Sequence, residues 1–138
     1  MHSTNYINTF IQVADDCPVL TAVAPPLKGE AKTIACLQFE MVTQHPYQYT
    51  SDDVLFQVHA IKNNISPTDR DAARQTFFSK GQACLRCSPL VRRYGWGLHH
   101  NADGKVAAYA VDSDEYITLM ADKHLKQVKA MRTKKKPG

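Results

Sequence analysis

The sequence predicts an α+β fold, a small antiparallel sheet packed on one face by about four helices. Asn101-Ala-Asp-Gly104 lies between two apolar runs and is typical of a β-hairpin turn. Thr50-Ser-Asp-Asp53 and Ser66-Pro-Thr-Asp69 are helix-start patterns, each followed by an apolar stripe. Because an isolated hairpin is unstable, the alternating run from Tyr6 to Ala14 is expected to form a further strand beside it.

Before residue 81 the periodicity of apolar residues predicts one strand and three helices. Asp15-Asp-Cys-Pro18 is expected to end the strand, and His45-Pro-Tyr47 to end the first helix, because proline restricts the residue before it. Gly81 follows the last of these helices, as is common after a helix end. The predicted elements are a strand over 6–14 and helices over 33–43, 51–62 and 66–79.

After residue 81 the pattern is less regular. Gln82 to Leu90 is predicted to be extended chain that leads into the hairpin. Asp112-Ser-Asp-Glu115 predicts the start of a C-terminal helix, which is expected to fray before Lys134. The predicted domain therefore covers residues 1–121, and residues 122–138 are expected to form a basic helix end and tail.

The register of the hairpin follows from its turn. A three-residue loop closed by a left-handed glycine places Asn101 opposite Lys105. The face predicted to lie in the interior pairs large residues with small ones and consists of Trp96, Leu98, His100, Val106, Ala108 and Ala110. The other face is predicted to be wetter because it carries His99 and Lys105, with Tyr109 lying across Gly97.

Length and charge limit the classes of function. At 138 residues the chain is about one domain, and no apolar run is long enough to span a bilayer, so no membrane partner is expected. No secretory pattern is visible, which predicts a cytoplasmic location. Residues 1–121 carry ten Lys or Arg against twelve Asp or Glu, whereas residues 122–138 carry seven against one. Nucleic-acid binding is therefore expected only through the tail, whose more ordinary role is a solubilising terminus.

The four cysteines do not form a metal-site pattern. Cys84 and Cys87 have a suggestive spacing, but no second pair supplies the remaining ligands. If this segment is extended, the two side chains point to opposite faces and cannot bind the same metal ion. Structural cysteines are therefore favoured over a redox pair, and a redox pair over a metal site. Phosphate-loop, dinucleotide-binding and nucleophile-elbow motifs are absent from the sequence, so no cofactor is expected.

Polar and aromatic residues around the hairpin carry the candidate binding chemistry. Guanidinium, imidazole and phenol groups suit a small anionic or aromatic ligand. The candidate binding residues are Arg86, Arg93, Tyr94, His99 and Tyr109. The competing interpretation is ordinary packing, since aromatic strand residues mostly pack.

Several functions stay open at this point, and no catalytic residue is assigned. The first is a non-enzymatic module that binds such a ligand or a protein partner. The second is an enzyme that uses His99 as acid or base beside Tyr109 and an arginine. The same surface would also suit a homodimer.

The segment Arg93-Tyr-Gly-Trp-Gly-Leu-His99 is the most distinctive motif of the chain. Other notable residues are Tyr6 with Phe10, Gln38-Phe-Glu40, Pro46-Tyr47, Tyr49 to Phe56, Phe78 to Gln82, Arg86 with Ser88-Pro-Leu90, and Tyr109 with Ser113, Glu115 and Tyr116. Together they resemble a family of uncharacterised bacterial proteins, a domain of unknown function. The resemblance extends to about residue 120 and implies a bacterial cytoplasmic protein with no assigned activity. Cys87 and the basic tail depart from the family pattern.

Overall fold

The structure, a computed structural model, describes residues 2–27, 29 and 31–132. Within these residues four strands form one sheet: β1 Thr9–Gln12, β2 Trp96–His100, β3 Val106–Ala110 and β4 Lys126–Lys129. The helices are α1 Ile34–Gln44, α2 Ser51–Lys62, α3 Arg70–Phe77, α4 Pro89–Arg92 and α5 Asp114–Met120. Short 3₁₀ turns at Pro67–Asp69 and Leu85–Cys87 precede α3 and α4. The α+β class predicted from the sequence is confirmed. No helix of the described residues has the length and apolar character needed to cross a membrane.

The sheet has the strand order β3-β2-β1-β4. β1 lies antiparallel to β2, whereas β4 lies parallel to β1, so the sheet is mixed. The hairpin has the register predicted from its turn, from Trp96 opposite Ala110 to His100 opposite Val106. Gly104 has a φ of +76°, the left-handed conformation that the turn requires.

One face of the sheet, here called the interior face, packs against α1, α2 and α4. The core on this side is aliphatic. Ile11, Leu98 and Val106 of the sheet are buried together with four helix residues: Val42 of α1, Val54 of α2, and Leu90 and Val91 of α4. The helix α2 begins at the predicted capping box, in which Asp53 N donates to Thr50 Oγ1 and Thr50 N donates to the Asp53 carboxylate. Trp96 lies on this face but is only half-buried, with its indole N–H donated to the Val23 carbonyl over 2.8 Å. Trp96 therefore lies on the predicted face without being fully buried there.

The opposite face, here called the second face, is covered by α5. Phe10 of β1 is fully buried there, and its ring centroid lies 5.0 Å from that of Tyr116 in α5. Both rings lie over Gly97, where an added Cβ would come within 2.6 Å of each. The prediction of helices on one face only is therefore wrong, and the rings of Phe10 and Tyr116 cover Gly97. The physical reason is that strand alternation places Phe10 opposite to Ile11, and so large a ring needs its own cover.

Residues 85–90 are not extended as predicted. They form the 3₁₀ turn Leu85–Cys87 and the short helix α4. Ser88 Oγ accepts a hydrogen bond from Leu90 N over 3.1 Å, and Pro89 occupies the first helical position. This Ser-Pro start is the same signal that predicts the helix after Ser66, so the sequence did contain it.

The C-terminal helix predicted from residue 112 ends at Met120, and a strand follows it. Lys126 N donates to Asn8 O over 2.9 Å where β4 begins to pair with β1. This short edge strand was predicted as helix because Lys126-Gln-Val-Lys129 has no strong alternation of its own and is stabilised by a partner far away in sequence. The predicted fraying before Lys134 and the last lysines of the tail lie outside the described residues.

Candidate functional site

Three polar side chains meet on the second face of the sheet. His99 of β2 and Tyr109 of β3 lie on neighbouring strands, and Tyr47 reaches them from the loop between α1 and α2. Tyr47 Oη lies 2.8 Å from His99 Nδ1 and 2.6 Å from Tyr109 Oη. The Tyr47 and His99 rings meet edge to face, with centroids 5.6 Å apart. These residues are called the Tyr47–His99–Tyr109 cluster below.

The backbone of Tyr47 is strained. Its φ is +60°, a conformation that bulky residues rarely adopt and that persists only where the surroundings impose it. Here the outer edge of β3 imposes it, because Tyr47 N donates to Val106 O and Val106 N donates to Tyr49 O, both over 2.9 Å. The strain thus falls on the residue that joins His99 to Tyr109.

Burial fixes the protonation of the cluster. Desolvation lowers the pKa of His99, and the nearby Asp122 carboxylate opposes that change. Desolvation also raises the pKa of Tyr47, and the hydrogen bond to Tyr109 raises it further. Near neutral pH the imidazole of His99 is therefore uncharged and the phenol of Tyr47 keeps its proton.

The cluster has two hydrogen-bond arrangements because a hydroxyl group both donates and accepts. When His99 Nδ1 carries no proton, Tyr47 donates to it and Tyr109 donates to Tyr47. The Tyr109 oxygen then offers lone pairs to a further donor. When Nδ1 carries a proton, both bonds reverse, and Tyr109 offers its hydroxyl proton to a further acceptor. The proton position on His99 therefore sets what Tyr109 presents to its surroundings.

A groove of about 430 Å³ opens beside Tyr109, between β3 and α5. Tyr109 and Leu119 give it apolar surface, and Thr118 adds a hydroxyl group. Asp114 and Glu115 also line it, from the first turn of α5, where carboxylates interact favourably with the helix dipole. A cavity of this size suits a small molecule, and its carboxylates suit a positive charge or a hydrogen-bond donor.

Of the five binding residues predicted from the sequence, His99 and Tyr109 are brought together. The residue that links them, Tyr47, was not among the predicted site residues. No sequence signal indicates a tyrosine in the left-handed conformation at this position.

The other three predicted binding residues lie elsewhere. Arg86 Nε donates to Lys129 O over 2.7 Å, at the β4 edge of the sheet, whereas Tyr109 lies in β3 at the opposite edge. Arg93 follows α4 and is exposed, and the half-buried Tyr94 accepts a hydrogen bond from Val23 N through its carbonyl group. Closeness in sequence did not indicate closeness in space here, because the sheet separates the turn before α4 from β3.

His100 lies on the interior face, as the hairpin register predicts. It is fully buried on the interior face, and neither ring nitrogen has a hydrogen-bond partner of good geometry among the described residues. Desolvation lowers its pKa to about 4, and backbone groups of Leu98 and Thr9 offset only part of that shift. The ring edge instead meets Tyr6, with centroids 5.3 Å apart.

Asp52 does more than the helix-capping role predicted for it. Its buried carboxylate accepts hydrogen bonds from Ser3 Oγ, Thr4 N and Thr4 Oγ1 at 2.7–2.8 Å. These bonds tie the N-terminal segment to the start of α2, which is a structural use of the carboxylate. No group of three His, Cys, Asp or Glu residues suited to a metal ion occurs in the described part of the chain.

A family profile described as a family of unknown function, DUF6157, matches residues 1–136, and the chain belongs to that family. Comparison with curated proteins and with solved structures gives no match. Family membership agrees with the resemblance to a domain of unknown function and supplies no activity. Any functional inference therefore depends on the geometry of the site.

Proposed function

We propose that this DUF6157 protein is a non-enzymatic binding module whose small ligand lies in the groove between β3 and α5, against Tyr109. The observation that carries the proposal is the Tyr47–His99–Tyr109 cluster behind that groove. Its two short hydrogen bonds join three elements, and its central residue has a strained backbone. Strain, shifted pKa values and a cavity at one place are typical of functional sites.

The lining of the groove defines the chemical class of ligand. Tyr109 and Leu119 favour an aromatic or apolar body. Asp114 and Glu115 favour an ammonium or another donor group and disfavour an anion. The sequence predicts an anionic or aromatic ligand. Of these two classes, the groove favours an aromatic ligand without negative charge. Neither Arg86 nor Arg93 takes part in this proposal.

A titration with two matched probes tests this proposal. We expect 2-phenylethylamine, an aromatic ammonium, to produce saturable NMR shifts in β3 and α5. Phenylacetate, which has a similar body and the opposite charge, is expected to bind about tenfold more weakly, the factor given by about 1.4 kcal/mol. Equal affinity for the two probes, or shifts that map to another surface, would contradict the proposal.

Matched variants assign the binding to Tyr109. Tyr109→Phe keeps the ring but removes the hydroxyl group, so we expect it to weaken 2-phenylethylamine binding about fivefold, as for a hydrogen bond of about 1 kcal/mol. Tyr94→Phe makes the same change at a half-buried residue outside the groove and is expected to leave the affinity unchanged. Identical affinities in both variants would remove Tyr109 from the site.

The same spectra separate binding from catalysis. A proton could pass between His99 and Tyr109 through the Tyr47 hydroxyl group, which favours an acid–base enzyme as the second candidate. A probe that is chemically altered during prolonged incubation, and is not altered by a His99→Gln variant, would support that enzyme.

The bacterial cytoplasmic setting implied by the Arg93-to-His99 motif is part of the proposal.

A further inference from the structure

Cys84 and Cys87 lie at the two ends of a tight turn. Cys87 N donates to Cys84 O over 3.0 Å, and the 3₁₀ turn Leu85–Cys87 lies between α3 and α4. The ends of such a turn have Cα atoms less than about 7 Å apart. A disulfide spans Cα separations of about 4.4–6.8 Å, so the backbone is already close to the geometry of one. The segment is therefore a tight turn and not the extended chain that would place the two side chains on opposite faces.

Tyr6 contacts the first of these cysteines. Its Oη lies 3.1 Å from Cys84 Sγ, within hydrogen-bond distance, and either atom can be the donor. Burial, and then this hydrogen bond, raise the pKa of Tyr6 to about 12. Cys87 adds to the same rise in the pKa of Tyr6, and Arg86 opposes it. Cys84 and Cys87 are each half-buried, which leaves them within reach of a small reagent.

The turn itself is fixed in place. Met131 N donates to Arg86 O over 2.9 Å, and Arg86 Nε donates to Lys129 O over 2.7 Å. Ser88 caps α4 immediately after the turn. Because these bonds hold the backbone of Arg86 and Ser88, a disulfide between Cys84 and Cys87 requires rotation of the two side chains and loss of the contact between Tyr6 and Cys84.

We propose that Cys84 and Cys87 form a redox-active dithiol that reacts with small-molecule disulfides. The Cys84 thiolate attacks one sulfur atom of the small disulfide, and the released thiolate takes up a proton. Cys87 then loses its proton to solvent and attacks the Cys84 sulfur, which closes the protein disulfide and releases the second small thiol. Two cysteine thiols are oxidised to one disulfide, and one small disulfide is reduced to two thiols.

Thiol mapping by mass spectrometry tests the dithiol. The reduced, folded protein is incubated with glutathione disulfide, quenched with acid and alkylated with iodoacetamide. We expect Cys84 and Cys87 to escape alkylation together, and the intact mass of a sample that is not alkylated to be lower by two hydrogen atoms. In Cys87→Ser the reaction is expected to stop at a glutathione adduct on Cys84. Adducts on both cysteines without closure, or reaction only after denaturation, would overturn the proposal.

Three variants separate this dithiol from general thiol reactivity. Cys17 is half-buried as well, and Cys17→Ser is expected to leave the rate of closure unchanged. Tyr6→Phe removes the hydroxyl group that, in this proposal, donates a hydrogen bond to the attacking Cys84 thiolate. We therefore expect this variant to slow the attack on the small disulfide about tenfold. Cys84→Ser leaves Tyr6 intact and is expected to slow the loss of the Cys87 thiol. Cys17 reacting as fast as the pair, or unchanged rates in Tyr6→Phe and Cys84→Ser, would contradict the mechanism.

Discussion

The two faces of the sheet are both covered, but they are built from different chemistry. The interior face is aliphatic at its centre, where Ile11 and Leu98 are fully buried against the helices. The second face has an aromatic centre at Phe10, and beside it the polar pair His99 and Tyr109. The first arrangement serves packing alone, whereas the second combines packing with groups that donate and accept protons. The candidate site therefore lies on the second face.

The adjacent histidines show the same difference within one strand. His100 is buried on the interior face without a good hydrogen-bond partner, whereas His99 on the second face contacts the Tyr47 hydroxyl group. Burial lowers the pKa of both rings. Strand alternation alone thus places one histidine in the core without a hydrogen-bond partner and the other beside a tyrosine hydroxyl group.

The largest expected effect tests whether the second face is as much a core as the first. Phe10→Ala is expected to cost about 4 kcal/mol of unfolding free energy, because removal of a buried aromatic ring leaves a cavity. Leu98→Ala, on the interior face, should cost about 3 kcal/mol for the same reason. Urea unfolding of both variants gives the comparison. A loss below about 1 kcal/mol for Phe10→Ala would mean that α5 packs loosely on the sheet.

The next effect concerns the unpartnered histidine of the interior face. The pKa of His100 is lowered from 6.5 to about 4 in the folded protein. The unfolded chain therefore binds more protons between these values, and stability is lost as the pH falls from 6.5 towards 4. At about 1.4 kcal/mol per pH unit, the loss approaches about 3 kcal/mol.

His100→Leu isolates this contribution. The leucine cannot take up a proton, so the acid limb of the plot of stability against pH should become flatter. Urea midpoints of the unmodified protein and of His100→Leu, measured across this pH range, compare the two acid limbs. An equally steep acid limb in the variant would assign the pH dependence to other groups.

A smaller effect tests the close packing between the second face and α5. Gly97→Ala places a Cβ 2.6 Å from the rings of Phe10 and Tyr116, so we expect a loss of about 2 kcal/mol from overpacking. Gly81→Ala is the matched control, because a Cβ there meets no atom within 4 Å. Thermal unfolding of the two variants should differ clearly. Equal midpoints would show that Phe10 and Tyr116 have room to move.

The parts of the fold that sequence reasoning predicted depend on local chemistry. The hairpin register follows from Asn101 to Gly104, and the start of α2 follows from Thr50 and Asp53, all within a few residues. β4 was missed because its pairing with β1 joins segments more than a hundred residues apart. Local patterns contain no information about such a partner.

The site was predicted only in part for a related reason. His99 and Tyr109 belong to the hairpin, so their shared face could be derived from the register. Tyr47 reaches them only because its loop bonds to the outer edge of β3, a long-range contact with a strained backbone. Arg86 was grouped with them by sequence distance, yet it lies at the opposite edge of the sheet.

The most direct test of the Tyr47–His99–Tyr109 cluster is the ¹⁵N NMR spectrum of the His99 imidazole at neutral pH. We expect an uncharged ring whose Nδ1 shift changes in Tyr47→Phe, because the hydroxyl partner at 2.8 Å is lost. Tyr49→Phe, a neighbouring tyrosine whose ring packs beside His45, should leave that shift unchanged. A charged His99 at neutral pH, or the same Nδ1 shift in both variants, would contradict the cluster.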